Sequence, residues 1–455
     1  MADLLIRNAR LLATLDADRR ELASGWVAID GGRISAVGAG SDPEPSAIET
    51  VDAGDCLVTP GLINTHHHIF QNLTRAYPPM TDKPLFGWLQ SLYPLWRAID
   101  EEAVYASAFV GLAELALGGC TTSSDHLYIH PHHAGDLLGA EIAAATELGM
   151  RFHPTRGSMS LSEKDGGLPP DDVVADDDEI LAACEQAVAC HHDRSSDSML
   201  RIALAPCSPF SVTESLMVRT AELAARLDVR LHTHFAENAE DDAFSLSQFG
   251  CRPLEYLERT GWCHDRTWVA HCVMPDEHEI ARLGAAGVGV AHCPSSNMIL
   301  SSGIAPVVSL RAAGAPVGLG VDGSSSADSA SLWMEARQAM LLAKLRDGAQ
   351  AGTARMALEC ATLGGAKCLG RAGEIGVIEP GVAADLAVWR LTGPVFAGAL
   401  ADPVEAWLRC GPVAAWHTIV GGRFIVRDGM IVHPDLESVG RLHARHAARI
   451  QRLVD

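Results

Sequence analysis

The chain reads as a (β/α)8 barrel that carries a small β-sandwich built from both termini. Three observations predict this. First, residues 59–374 alternate short apolar runs with amphipathic stretches. Eight runs stand out: Leu62–His68, Cys120–Asp125, Met150–Arg156, Arg201–Pro206, Val229–His234, Thr267–His271, Val288–His292 and Pro316–Asp322. Eight β/α units need about 250 residues or more, which this span supplies. Second, almost every run ends in a chemically capable side chain: His66 and His68, Asp125, Arg156, His234, His271, His292 and Asp322. Strand ends converge on one point in a barrel, and barrel enzymes work at that mouth. Third, residues 1–58 and 375–455 share another style, short β-type runs broken by tight turns.

The end segments predict hairpins. Trp26–Ile29 and Arg33–Val37 flank Asp30-Gly31-Gly32, and Ile419-Val420 and Arg423–Val426 flank Gly421-Gly422. Glycine accepts the positive φ of such turns. Ala384–Trp389 is a further strand, and Arg427-Asp428-Gly429-Met430 a further turn. Residues 434–455 read as a closing helix with Leu436, Val439, Leu442, Ile450 and Leu453 along one stripe. The reading assigns residues 1–58 and 375–455, with that helix, to one composite domain and 59–374 to the barrel. Within the barrel, helices are expected at Glu101–Leu117, Asp136–Leu148, Glu214–Leu227 and Asp276–Ala286.

Composition excludes several classes. The 455 residues are 48% hydrophobic and 20% charged, which is globular and neither disordered nor collagenous. Asp plus Glu number 57 against 35 Lys plus Arg, for a net charge of −22. Such a surface repels phosphate backbones, so nucleic-acid polymers are not expected partners. No apolar stretch approaches the ~18 residues of a membrane span, and the first residues lack a signal-peptide pattern. The twelve cysteines form no C-x-x-C and read as reduced core thiols in a cytoplasm. A homo-oligomer acting on a small heterocycle is expected.

The strongest local signal is Pro60-Gly61-Leu62-Ile63-Asn64-Thr65-His66-His67-His68. Side chains alternate along a strand, so His66 and His68 share a face and suit one metal ion. In Leu231-His232-Thr233-His234-Phe235-Ala236-Glu237, His234 is the third ligand candidate. His232 competes, but reads better as a supporting residue. Glu237, three residues on, is placed for acid–base work. His271 and His292 end the sixth and seventh strands, and Asp322 in Gly320-Val321-Asp322-Gly323 ends the eighth. Nitrogen and carboxylate donors suit Zn²⁺ with one position open, and Fe²⁺ would fit the same set. His126, His130, His132 and His133 read as a solvated loop interrupted by Pro131. Asp171-Asp172 and Asp176-Asp177-Asp178 read as a solvated loop and helix start.

These motifs, with Ala291-His292-Cys293-Pro294-Ser295-Ser296-Asn297 and the closing Gly376–Leu386 segment, resemble the amidohydrolase superfamily over essentially the whole chain. The resemblance implies one metal held by His66, His68, His234 and Asp322. It implies Glu237 as proton shuttle, His271 as an orienting group and Asp322 as proton acceptor. Two-metal members use a carboxylated lysine at strand four. Here Lys83, Lys164, Lys344 and Lys367 are the only lysines, and none ends a strand. The likeness is therefore to the one-metal deaminases. Within them, Thr121–Tyr128 and Thr155–Pro170 resemble the deaminases of 8-oxoguanine. That implies hydrolysis of 8-oxoguanine to urate and ammonia. Amino- or chlorohydrolysis of an s-triazine is the rival, and a catalytically dead scaffold a remoter one. Gln71, three residues after His68, is the expected ring-binding residue, because its amide pairs with both a donor and an acceptor. Phe86-Gly87-Trp88 and Tyr93–Trp96 are candidate pocket walls.

Overall fold

A computed structural model describes residues 1–454. Five strands open the chain: β1 Ala2–Ala13, β2 Glu21–Asp30, β3 Arg33–Gly38, β4 Ala47–Asp52 and β5 Cys56–Pro60. Eight more alternate with helices: β6 Leu62–Asn64, β7 Cys120–Leu127, β8 Arg151–Ser158, β9 Ala203–Pro206, β10 Leu231–Phe235, β11 Thr267–His271, β12 Gly289–His292 and β13 Val317–Leu319. Four close it: β14 Leu386–Arg390, β15 His417–Val420, β16 Arg423–Arg427 and β17 Met430–Ile431. Strands β6 to β13 form a closed parallel barrel, with β13 pairing back onto β6. The other nine form a separate sheet in the order β17-β16-β15-β14-β5-β1-β2-β3, with β4 also on β1. Its two halves join where β5 runs antiparallel to β14, so neither end of the chain makes the sheet alone.

Local chemistry explains the elements. Gly31 and Gly32 have φ of 57° and 80°, and Gly421 and Gly422 have 53° and 76°, as two-residue hairpins require. Helix Glu101–Leu117 starts where Asp100 accepts the Ala103 N–H. Asp136, Thr213 and Asp276 cap the next expected helices in the same way. Asp276 and Glu279 form a full capping box. Asp176 caps Asp177–His191, so the acidic run is a helix start.

Several expectations need correction. Strand β6 stops at Asn64, not His68, because the chain then turns into the 3₁₀ helix Ile69–Thr74. The histidine segment stays tied to its neighbours: His126 N–H donates to the His67 carbonyl, and Asp322 N–H to that of His66. Strand β7 runs two residues past Asp125. The helix read over residues 434–455 spans Leu436–Gln451. It lies against helix Glu101–Leu117 and the Ile69–Thr74 turn, where Gln451 donates to the Leu73 carbonyl at 2.7 Å. Leu453 is exposed and off its buried stripe. Three of the twelve cysteines leave the core: Cys190 is exposed, and Cys263 and Cys410 are half-buried.

Candidate active site

The barrel mouth gathers His66, His68, His234, Glu237, His271 and Asp322, all buried or nearly so. His271 and Asp322 hold φ of 70° and 59°, left-handed values that non-glycine residues keep only where the surroundings enforce them. His68 Nε2 lies 3.0 Å from His234 Nε2. Asp322 Oδ1 is 3.3 Å from His66 Nε2 and 3.5 Å from His68 Nε2. His271 Nε2 is 3.5 Å from Glu237 Oε2 and 3.9 Å from Asp322 Oδ2.

Hydrogen bonds fix the tautomers. A backbone carbonyl only accepts, so His68 Nδ1–H donates to the His126 carbonyl and His234 Nδ1–H to that of Cys207. His232 Nδ1–H donates to the Trp268 carbonyl. Its Nε2 then accepts from His66 Nδ1–H at 2.8 Å. Both nitrogens of His232 are thereby engaged. The Nε2 atoms of His66, His68 and His234 all carry lone pairs. Burial pushes all three rings below the usual imidazole range, His234 to about 3, so they stay neutral. Two lone pairs face each other at 3.0 Å, and His66 Nε2 is buried with no hydrogen-bond partner among the described residues. A shared cation resolves both problems. Tetrahedral ligands about 2.0–2.1 Å from Zn²⁺ would lie about 3.3 Å apart, close to the separations seen. These residues fit a divalent metal.

Opposite them stand Glu237 and His271. Burial pushes the Glu237 carboxyl up to about 7, with Asp241 and Asp322 adding to the rise against His271. Burial lowers His271, but the Glu237 and Asp322 carboxylates outweigh it and leave the ring raised. Asn297 accepts from His271 Nδ1–H at 3.0 Å. Asn297 rides on helix Pro294–Ile299, whose Ser295 N–H and hydroxyl both donate to buried Glu335.

A cavity of ≈390 Å³ opens over this cluster. Leu85, Trp88, Leu89, Phe210 and Leu300 wall it, and Gln71 and Tyr128 reach in. Of the expected aromatic walls only Trp88 lines the cavity. Tyr93 and Trp96 are core, and Phe86 packs on Phe210. A larger cleft lies at the other barrel end, between Met150–Phe152 and the Gly31–Gly32 turn, away from these ligating groups.

Three strand-end residues are not brought to the mouth. Asp125 points outward, accepts the Ile69 N–H at 2.7 Å, and faces Glu141; burial raises both carboxyls. Arg156 opens into an outer cleft beside Asp136 and His191. His292 is buried outside the cavity lining. The loop reading of His126 is also corrected. It sits on β7, fully buried, and its ligand atom lies within 4.8 Å of those of His66, His68 and His234. Only His132 and His133 of that group are exposed. Period-two alternation was the available signal. Alternation along β7 puts Ser124 and His126 on one face and Asp125 on the other.

The description "Amidohydrolase family" matches residues 57–425. The chain is 47% identical over 449 residues to an 8-oxoguanine deaminase of Pseudomonas aeruginosa, covering 99% of this chain and 98% of that one. It is 35% identical over 405 residues to a hydroxydechloroatrazine ethylaminohydrolase of Pseudomonas sp. strain ADP, covering 87% and 82%. It superposes on the crystal structure of an atrazine chlorohydrolase from Arthrobacter aurescens TC1 complexed with zinc, with a TM-score of 0.92, 35% identity, and coverage of 98% and 100%. With barrel, mouth and sequence in agreement, this chain belongs to the amidohydrolase family.

Proposed function

We propose that the chain is a hydrolytic deaminase of 8-oxoguanine, releasing ammonia and forming urate. The observation that carries the chemistry is the convergence of three imidazole lone pairs and Asp322 opposite a Glu237 carboxyl poised near 7. The likeness to an 8-oxoguanine deaminase over nearly the whole chain supports the substrate. The cavity agrees with a flat ring, since Leu85, Trp88, Leu89, Phe210 and Leu300 give it an apolar wall over the polar cluster. Its twelve free thiols suit a reducing cytoplasm.

His66, His68, His234 and Asp322 would hold one Zn²⁺. A divalent metal there lowers the pKa of water to about 7 and so supplies the nucleophile. Asp322 takes one proton of the attacking water as the new C2–O bond forms. Glu237 gives its proton to the ring nitrogen beside C2. The exocyclic nitrogen then takes the Asp322 proton, and the C2–N bond breaks. Glu237 recovers a proton from the new hydroxyl, leaving C2=O and ammonia. His271, fixed by Asn297, holds the Glu237 and Asp322 carboxylates in place.

Elemental analysis of purified protein is expected to give about one divalent metal per chain. Two tightly held metals would contradict the ligand set, and none would favour a dead scaffold. In a panel read by ammonia release, 8-oxoguanine is expected to outrun guanine, adenine, cytosine and hydroxyatrazine. The triazine reading has the lesser support of the 35% identical hydroxydechloroatrazine relative and of the atrazine chlorohydrolase structure. It expects ethylamine from hydroxylated triazines instead. An inert 8-oxoguanine beside a triazine turned over above ~10⁴ M⁻¹s⁻¹ in kcat/KM would replace the purine assignment.

A further inference from the structure

The C-terminal helix Leu436–Gln451 follows the last strands of the sheet, yet its polar side chains reach the turn Ile69–Thr74 at the barrel mouth. Asn72 Nδ2 donates to the Ser107 carbonyl at 3.0 Å, which leaves Asn72 Oδ1 as an acceptor. His443 Nε2–H donates to that Oδ1 at 2.8 Å. Gln451 Nε2 donates to the Leu73 carbonyl at 2.7 Å, and the Gln451 carbonyl accepts from the Tyr77 hydroxyl at 3.3 Å. The turn passes this hold on to the cavity wall. Thr74 Oγ1 accepts from Trp96 Nε1 at 3.0 Å and lies 2.7 Å from Ser325 Oγ. The Ser325 carbonyl accepts from Trp88 Nε1 at 3.3 Å. Trp88 and Trp96 meet edge to face, 5.4 Å apart, on the helix Leu85–Trp96. Ile450 is fully buried in the same apolar cluster as Leu73, Leu85, Trp88 and Leu89.

We propose that the C-terminal helix sets the shape of the substrate pocket, with His443 and Gln451 as positioning residues that fix the Ile69–Thr74 turn and, through it, the Leu85–Leu89 wall. This rests on the proposed ring substrate and names what holds its pocket in shape. Neither residue lines the cavity. Both act where the turn is weakest. A 3₁₀ stretch of six residues has poor hydrogen-bond geometry of its own, so outside bonds decide its form. Leu73 lies in its last turn, whose carbonyls find no partner within the helix, and Gln451 supplies one. An apolar wall holds a flat ring by shape. A displaced wall therefore weakens binding first, and the loss falls on KM while the metal ligands and Glu237 keep their places.

The test uses the metal-loaded full chain. The double variant His443→Ala/Gln451→Ala is expected to raise KM for 8-oxoguanine about 10-fold, with kcat within about threefold and metal per chain unchanged. His443→Gln keeps a donor and should stay near wild type. Val439→Ala removes buried bulk from the same helix, but Val439 packs in the main core and not in the wall cluster, so KM should not move. Amide hydrogen exchange needs no substrate. In the double variant, or in Gln451→Ala alone where the double variant does not fold, exchange should quicken over residues 69–74 and 85–96 and stay unchanged over 267–271. An unmoved KM, a KM raised as far by Val439→Ala, or exchange quickened equally in all three stretches would overturn the inference. An inert 8-oxoguanine would overturn the substrate reading alone. KM is then read on a hydroxylated triazine, and the exchange result decides by itself.

Discussion

Glu237→Gln should lower kcat/KM by about 10²–10⁴ while leaving the metal content of the protein unchanged. The substitution is nearly isosteric, and Glu237 is not among the groups whose lone pairs converge on His66, His68 and His234. What it removes is a proton that can be given and taken near neutrality. Burial has already tuned the carboxyl to about 7, where donor and acceptor forms are both populated. An amide has neither property. The Glu237 backbone stays anchored by Asp241, which accepts its N–H at 2.9 Å, so the loop should hold its shape. Metal lost together with activity would show that Glu237 is a ligand. Activity retained within about tenfold would assign the shuttle to another group, with His271 next in line at 3.5 Å.

The sequence made the barrel legible because its period is simple. Strand β11 ends at His271 as expected, and helices Glu101–Leu117 and Glu214–Leu227 keep their expected limits. Each of these ends has a local cause, either an N-cap or a strained residue at the mouth. The misplacements share another cause. Which of Asp125 and His126 faces inward is a matter of the strand's phase against its neighbours, since one residue of slip reverses every side chain. Composition cannot settle that; pairing with β8 does, by matching His126 to Thr155. The C-terminal helix was legible as a helix from its apolar stripe. Its docking was not, because the bond of His443 to Asn72 at 2.8 Å joins residues 371 apart. Tyr128 reads as one more core aromatic until Gln71 is seen beside it.

The second large effect is expected in stability, at the end of the barrel away from the chemistry. Arg151 opens β8 and faces inward at the barrel floor. Its Nε donates to Asp385 Oδ2 at 2.8 Å and its Nη2 to Oδ1 at 3.0 Å, with both side chains 2% exposed. Asp385 directly precedes β14 and also accepts the Gly421 N–H at 2.8 Å. The pair therefore joins the barrel to the sheet made by both ends of the chain. Asp385→Ala leaves a buried guanidinium without its counter-charge, which typically costs about 3–5 kcal/mol. The carbonyls of Asp197 and Ser198 still accept from Arg151 but carry no net charge to replace it. The denaturation midpoint of the metal-loaded protein should fall accordingly. The double variant Arg151→Met/Asp385→Leu should recover much of the loss, because it removes the stranded charge and fills its space. Under conditions where Asp385→Ala is folded, kcat should match wild type, since floor residues of a barrel bear on stability and mouth residues on chemistry. A double variant no more stable than the single one would locate the loss in packing rather than in the buried charge.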